Sequence, residues 1–81
     1  MSTKLKDQEL GVIAEFPSST PPAVIRIRLM KKGVNMLIDM RLFYKNGDEM
    51  IPSSKGFRTP VDSINEIAEA IENTKEALEG I

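Results

Sequence analysis

Two runs of strict alternation, separated by a glycine turn, constrain this chain more than any other feature. In AVIRIRLM, residues 23 to 30, Ile25, Ile27 and Leu29 point one way while Arg26 and Arg28 point the other. In VNMLIDMRLFY, residues 34 to 44, Met36, Ile38, Met40 and Leu42 share a phase opposed to Asp39, Arg41 and Phe43. A period of two is the repeat of a half-buried strand, and the intervening KKG makes an antiparallel hairpin the economical connection. KNGDE follows, and its Asn46-Gly47 pair predicts a second hairpin whose two central residues take positive φ. The next strand, EMIPSS, is weakened by Pro52 and expected at an edge. Upstream, LGVIAEF, residues 10 to 16, reads as another strand with Phe16 in the core, and PSSTPP breaks it by removing backbone donors.

From Thr59 the period changes. Thr59 is the expected N-cap, Pro60 the first helical residue and Asp62 the acidic partner of a capping box. Val61, Ile64, Ile67, Ala68, Ile71 and Leu78 then fall near helical spacing with the glutamates mostly elsewhere on the wheel, and Gly80 is the expected stop. The order is β-β-β-β-α, an α+β fold with a four-stranded antiparallel curved sheet followed by one C-terminal α-helix. Residues 1 to 9 are expected to be a flexible tail and residues 10 to 81 a single domain.

Composition removes several kinds of chemistry. The 81 residues include no cysteine and no histidine, which takes away disulfides, the usual zinc ligands, thiol nucleophiles and imidazole acid–base catalysis. Asp39 has no acidic cluster around it and no histidine to work with, so the sequence points to a binding protein without catalytic residues, metal or cofactor. A chain this small buries little surface alone, which makes homo-oligomerisation the expected source of further burial. No apolar run approaches a membrane span, and a soluble, cytoplasmic protein is expected. The net charge of −1 hides an asymmetry: residues 1 to 58 carry ten of the eleven Lys/Arg against six acids, whereas residues 59 to 81 carry Lys75 alone against six. Such a division suggests a basic binding face beside an acidic solvated one.

Taken in order, RLMKKG, NMLIDMRLFY, NGDEM, IPSSKGF and the Pro60-initiated helix resemble the single-stranded-DNA-binding domain of the positive cofactor 4 family of transcriptional coactivators, which has bacterial and phage relatives. The resemblance spans residues 24 to 79, nearly the whole domain. It implies a homodimer with paired helices and a concave basic surface for single-stranded or melted DNA. Carried over by position, it marks Arg28, Lys31 or Lys32, Arg41, Tyr44 and Lys55 as contacts. Met30 stands where the family often has a stacking aromatic, and Phe57 where it has an aliphatic residue, which suits a core position. The serine-rich regulatory extension of the eukaryotic members is missing, so a nucleoid-associated protein of a prokaryote or phage fits better than a nuclear coactivator.

Sequence-tolerant binding of single strands needs cations spaced along a backbone track and ring faces for unpaired bases. The candidate cations are Arg26, Arg28, Lys31, Lys32, Arg41, Lys45, Lys55 and Arg58. The candidate rings are Phe43 and Tyr44, which conflict: alternation places Phe43 on the Arg41 face, the resemblance favours Tyr44, and a bulge before the turn would reconcile them. Asp39 either orients the Arg41 guanidinium or bonds backbone at the dimer interface. Ile64, Ile67, Ile71 and Leu78 are candidates for that interface. The expected role is assistance to transcription, replication or recombination where a duplex is open. The competing readings are a protein–protein interaction module of the same fold and a binder of single-stranded RNA.

Overall fold

The computed structural model describes residues 7 to 81, and the expected tail lies outside them over residues 1 to 6. Four strands, β1 (Asp7–Pro17), β2 (Val24–Lys32), β3 (Asn35–Asn46) and β4 (Glu49–Pro60), form one antiparallel sheet in the order β1-β2-β3-β4. A single 3-10 turn, Val61–Ser63, leads into helix α1 (Ile64–Glu79). The β-β-β-β-α order is therefore as the sequence predicts. Asp7 to Glu9 are not tail: they pair with Lys32 to Met30 and extend β1. No helix among the described residues is long and apolar enough to cross a membrane.

Both hairpins close on two residues whose first is a glycine at positive φ, Gly33 (63°) and Gly47 (65°), and among the described residues no other residue type has positive φ. The second turn is thus centred on Gly47-Asp48 rather than Asn46-Gly47, with Asn46 still paired to Glu49. One positive φ at the first central position is the pattern of a type II′ turn, which has the same strand-matching twist as the I′ form that Asn-Gly would make. Helix α1 also starts later than expected. Thr59 and Pro60 remain in the ladder opposite Ile38 and Leu37, so their extended pairing overrides the capping signal, and neither helical start carries a side-chain cap.

The sheet curls, and the face on its inside is the charged one. Strands lie about 4.8 Å apart, so in a flat sheet β1 and β4 would be too distant for their side chains to meet. Here Asp7 of β1 forms an ion pair with Arg58 of β4, which requires their shared face to be concave. Burial follows the curl. Ala23, Met30, Phe43, Arg28 and Asp39 are the buried residues among those described, and four of these five lie on β2 or β3.

The alternating apolar phase, expected to form the core, is only half-buried at Met36, Ile38, Met40 and Leu42. Helix α1 faces this side but stands off it, leaving an open groove of about 410 Å³ between Ile27, Leu29, Ile38 and Met40 of the sheet and Ile64 and Ile71 of the helix. No residue of α1 is buried. Phe16 and Phe57, expected in the core, are exposed as well.

Candidate functional site

The concave face is organised by one carboxylate. Register places Arg28 of β2, Asp39 of β3 and Arg58 of β4 directly opposite one another across three adjacent strands. Arg41 lies two residues from Asp39 and hence on the same face. All three arginines converge on Asp39, whose exposure is 0%. Arg28 donates to Oδ2 through Nε at 3.1 Å and Nη2 at 2.7 Å. Arg41 donates through Nη2 to Oδ1 at 2.7 Å and through Nε to both oxygens at 2.9 and 3.0 Å. Arg58 Nε donates to Oδ1 at 3.2 Å. Of the two sequence-level roles for Asp39, orientation of guanidinium groups is the one these bonds perform.

The balance of forces on Asp39 can be read from its acidity. Burial by itself raises the pKa of a carboxyl, but the hydrogen bonds from Arg41 and Arg28, reinforced by their charges, outweigh it and hold the group at about 2 against an ordinary 3.8. Arg58 shows the complement. Burial disfavours its charge, yet the bonds to Asp7 and Asp39 make it more basic than an ordinary guanidinium.

Phe43 lies beneath this layer. Its ring is 2% exposed, with the Arg26 guanidinium carbon 4.4 Å and that of Arg28 4.9 Å from its centroid. Such stacking holds each guanidinium by its face and leaves its edge free for hydrogen bonds. Register between β2 and β3 is uninterrupted, so β3 contains no bulge and Phe43 stays on the Arg41 face. The irregularity lies in β4, where Ser53 to Lys55 stand opposite Leu42 alone. Ser53 closes that bulge: its Oγ donates to the Leu42 carbonyl at 2.7 Å, accepts from the Lys55 N–H at 3.0 Å, and its carbonyl accepts from Arg41 Nη1 at 2.8 Å.

Among the sequence-predicted residues, the fold brings together Arg26, Arg28, Arg41, Arg58 and Phe43. It does not bring the lysines or Tyr44 to them. Lys31 and Lys32 flank the β2–β3 turn, Lys45 lies toward the opposite end of β3, and Lys55 sits in the β4 bulge. All four are exposed, and none forms an ion pair among the described residues. Tyr44 is 41% exposed and pairs with Ile51 on the part of the β3–β4 hairpin that projects past the first residue of β2. Met30 is buried as ordinary packing.

Three residues of the site escaped the sequence reading. Asp7, Glu9 and Glu15 of β1 pair with Arg58, Arg28 and Arg26 respectively. Register shifts at Glu9/Gly11 and Val12/Ala14 break the alternation of β1, which hides that these acids share the arginine face. The period-two spacing of Asp7 and Glu9 was the available signal. With Asp39 they bring the face to four carboxylates for four guanidiniums. No protein-family model matches this chain, and no curated protein or solved structure matches it.

Proposed function

We propose that this chain is a sequence-tolerant binding protein for single-stranded or locally melted DNA, acting as a homodimer in the cytoplasm, at the nucleoid of a prokaryote or phage-infected cell. The observation that carries the reading is the concave arginine face. Guanidiniums fixed by Asp39 and stacked on Phe43 are pre-organised donors for phosphate oxygens, and a concave polar surface suits a strand better than a flat patch does. The exposed lysines at both ends of the sheet and in the β4 bulge add positive charge, unpaired among the described residues, around that charge-balanced face. The resemblance of the ordered motifs to those of the positive cofactor 4 family points to the same ligand. The glutamate-rich side of α1 would repel phosphate and directs it to the sheet. Work of this kind needs binding without catalysis and would serve transcription, replication or recombination.

Of the two adjacent rings, Tyr44 is the exposed one; alternation turns it to the other side of β3 from Arg41, and it lies on the projecting part of the β3–β4 hairpin, where a strand running off the end of the arginine face would meet it. Base stacking contributes about 1–3 kcal/mol per base, so Tyr44→Ala is expected to weaken single-strand binding about 5- to 150-fold. Anisotropy titrations with labelled single-stranded, duplex and RNA oligonucleotides at several salt concentrations test both statements. Four to six phosphate contacts that each release counterions, those of the four exposed lysines first among them, give a slope of log affinity on log salt of about −3 to −4. Equal affinity for single strands and duplex near physiological salt would overturn the reading, and preference for RNA would redirect it.

The homodimer rests on the uncovered apolar side. Ile71 is 49% and Leu78 64% exposed, and helix and sheet enclose a groove that neither fills. A second copy offering the same helix would cover both at once, as a two-fold interface requires. Sedimentation at micromolar concentration is expected to give twice the chain mass, and Ile71→Glu is expected to halve it or to abolish folding. A monomeric wild-type chain with cooperative unfolding refutes this part.

A further inference from the structure

On the reading just proposed, the arginine face has a difficulty that its own geometry resolves. Three of the four guanidiniums on this face, those of Arg26, Arg28 and Arg58, are already occupied by a carboxylate from one strand, β1. Glu15 Oε2 accepts from Arg26 Nε at 3.0 Å, Glu9 Oε1 accepts from Arg28 Nη1 at 3.3 Å, and Asp7 pairs with Arg58 Nη1. These three acids differ from Asp39. Their side chains are 37–42% exposed, whereas Asp39 is sealed. They also bond different edges of the same groups, for Arg28 and Arg58 keep Asp39 on Nε while presenting Nη1 to β1.

We infer that the β1 carboxylates are exchangeable stand-ins for phosphate, marking where phosphate oxygens bind and competing with them for Arg26, Arg28 and Arg58. Arg26 and Arg28 lie two residues apart on one face of β2, about 6.7 Å, a repeat suited to successive phosphates of an extended strand. The arrangement gives the site a threshold. A ligand must displace three carboxylates together, which an extended polyanion can do and an isolated small anion cannot, and the Asp7–Arg58 pair bridging the first and last strands opens only when it does so.

Exchange has a thermodynamic signature distinct from simple attraction. A guanidinium that trades a carboxylate for a phosphate releases no solution counterion, so it adds little to the salt dependence. A vacant guanidinium adds about 0.7 to the magnitude of the slope for a single strand. The test is a salt series of oligothymidylate binding to the full chain and to D7N/E9Q/E15Q, which keeps the shape of each side chain and removes its charge. E66Q/E69Q/E76Q on the far side of α1 serves as a control with the same change in net charge.

Competition predicts that the β1 variant binds at least about tenfold more tightly at low salt and with a slope steeper by about 2, three contacts at about 0.7 each, while the helix variant matches wild type. Should the triple variant not fold, E15Q alone releases only Arg26 and steepens the slope by about 0.7. Equal affinities and slopes for the β1 variants and a binding-competent wild type overturn the competition and leave the functional reading standing. A gain shared equally by the helix control overturns it too. Binding by the β1 variant alone supports it in its strongest form, and binding by neither overturns both proposals.

Discussion

Asp39→Ala is expected to lower the unfolding free energy by about 3–5 kcal/mol, the usual cost of removing one partner of a buried charge cluster. Arg28 and Arg41 have side chains only 10% and 15% exposed, so without the carboxylate they remain desolvated, close together and alike in charge. Asn keeps the shape and one acceptor oxygen, and Asp39→Asn should fall between alanine and wild type. Urea denaturation at neutral pH measures both. The same carboxylate makes stability depend on pH in a defined window. Its folded pKa of about 2 lies below the ordinary 3.8, so the folded state binds that proton less tightly than the unfolded chain. Its contribution is therefore complete above about pH 4 and is lost as pH falls toward 2, amounting to about 2 kcal/mol. This is smaller than the mutational cost because a protonated carboxyl still fills the site and accepts hydrogen bonds. Asp39→Asn should lack that acid-sensitive component. Parallel stability-against-pH curves for variant and wild type between pH 4 and 2 would contradict the assignment.

Cluster energetics bear on function. An apolar set of similar volume often stabilises a fold as well as a buried ion cluster does, or better. Three arginines on one aspartate are therefore weak evidence for stability in themselves, and on the proposed reading it is their outer edges that serve the ligand.

The faces of β2 and β3 were legible because alternation is a local property: Ile25, Ile27 and Leu29 against Arg26 and Arg28, and Met36 to Leu42 against Asp39 and Arg41. Which face lies inside the curl was not legible. Apolar spacing suggests the aliphatic face, yet curvature is set by bulges and by pairs such as Asp7–Arg58, which join residues 51 apart in sequence. For the same reason the counter-ions of β1 were invisible, since its register shifts twice between Asp7 and Pro17. The rings illustrate both limits. Strict alternation put Phe43 with Arg41, which the uninterrupted β2–β3 register bears out, but nothing local could foretell that two guanidiniums would cover it and leave the exposed ring to Tyr44. At Thr59 and Pro60 a sound capping signal lost to pairing with Ile38 and Leu37, a contact between strands that no window around residue 60 contains.

Gly56→Ala is expected to be nearly as damaging as the loss of Asp39, at about 3 kcal/mol, the upper part of the range for overpacking. Gly56 is not at positive φ, so conformational freedom is not what requires glycine. The requirement is close approach. A β-carbon there would meet the Arg41 β-carbon, the Arg41 α-carbon and the Met40 carbonyl oxygen of the neighbouring strand. These are backbone atoms or the first side-chain atom, and no rotamer change moves them aside. β4 would have to shift away from β3 at the pair Arg41–Gly56, next to the bulge whose Ser53 carbonyl anchors Arg41. The effect should therefore appear twice: in lower stability to urea, and in weaker single-strand binding by those molecules that still fold, because Arg41 loses its seat. Gly11→Ala is the matched control. It is also a strand glycine without positive φ, but no atom lies within 4 Å of its added β-carbon, so its stability should stay within about 0.5 kcal/mol of wild type. Equal unfolding midpoints for the two alanine variants would show that β3 and β4 are not packed as closely at residue 56 as this register requires.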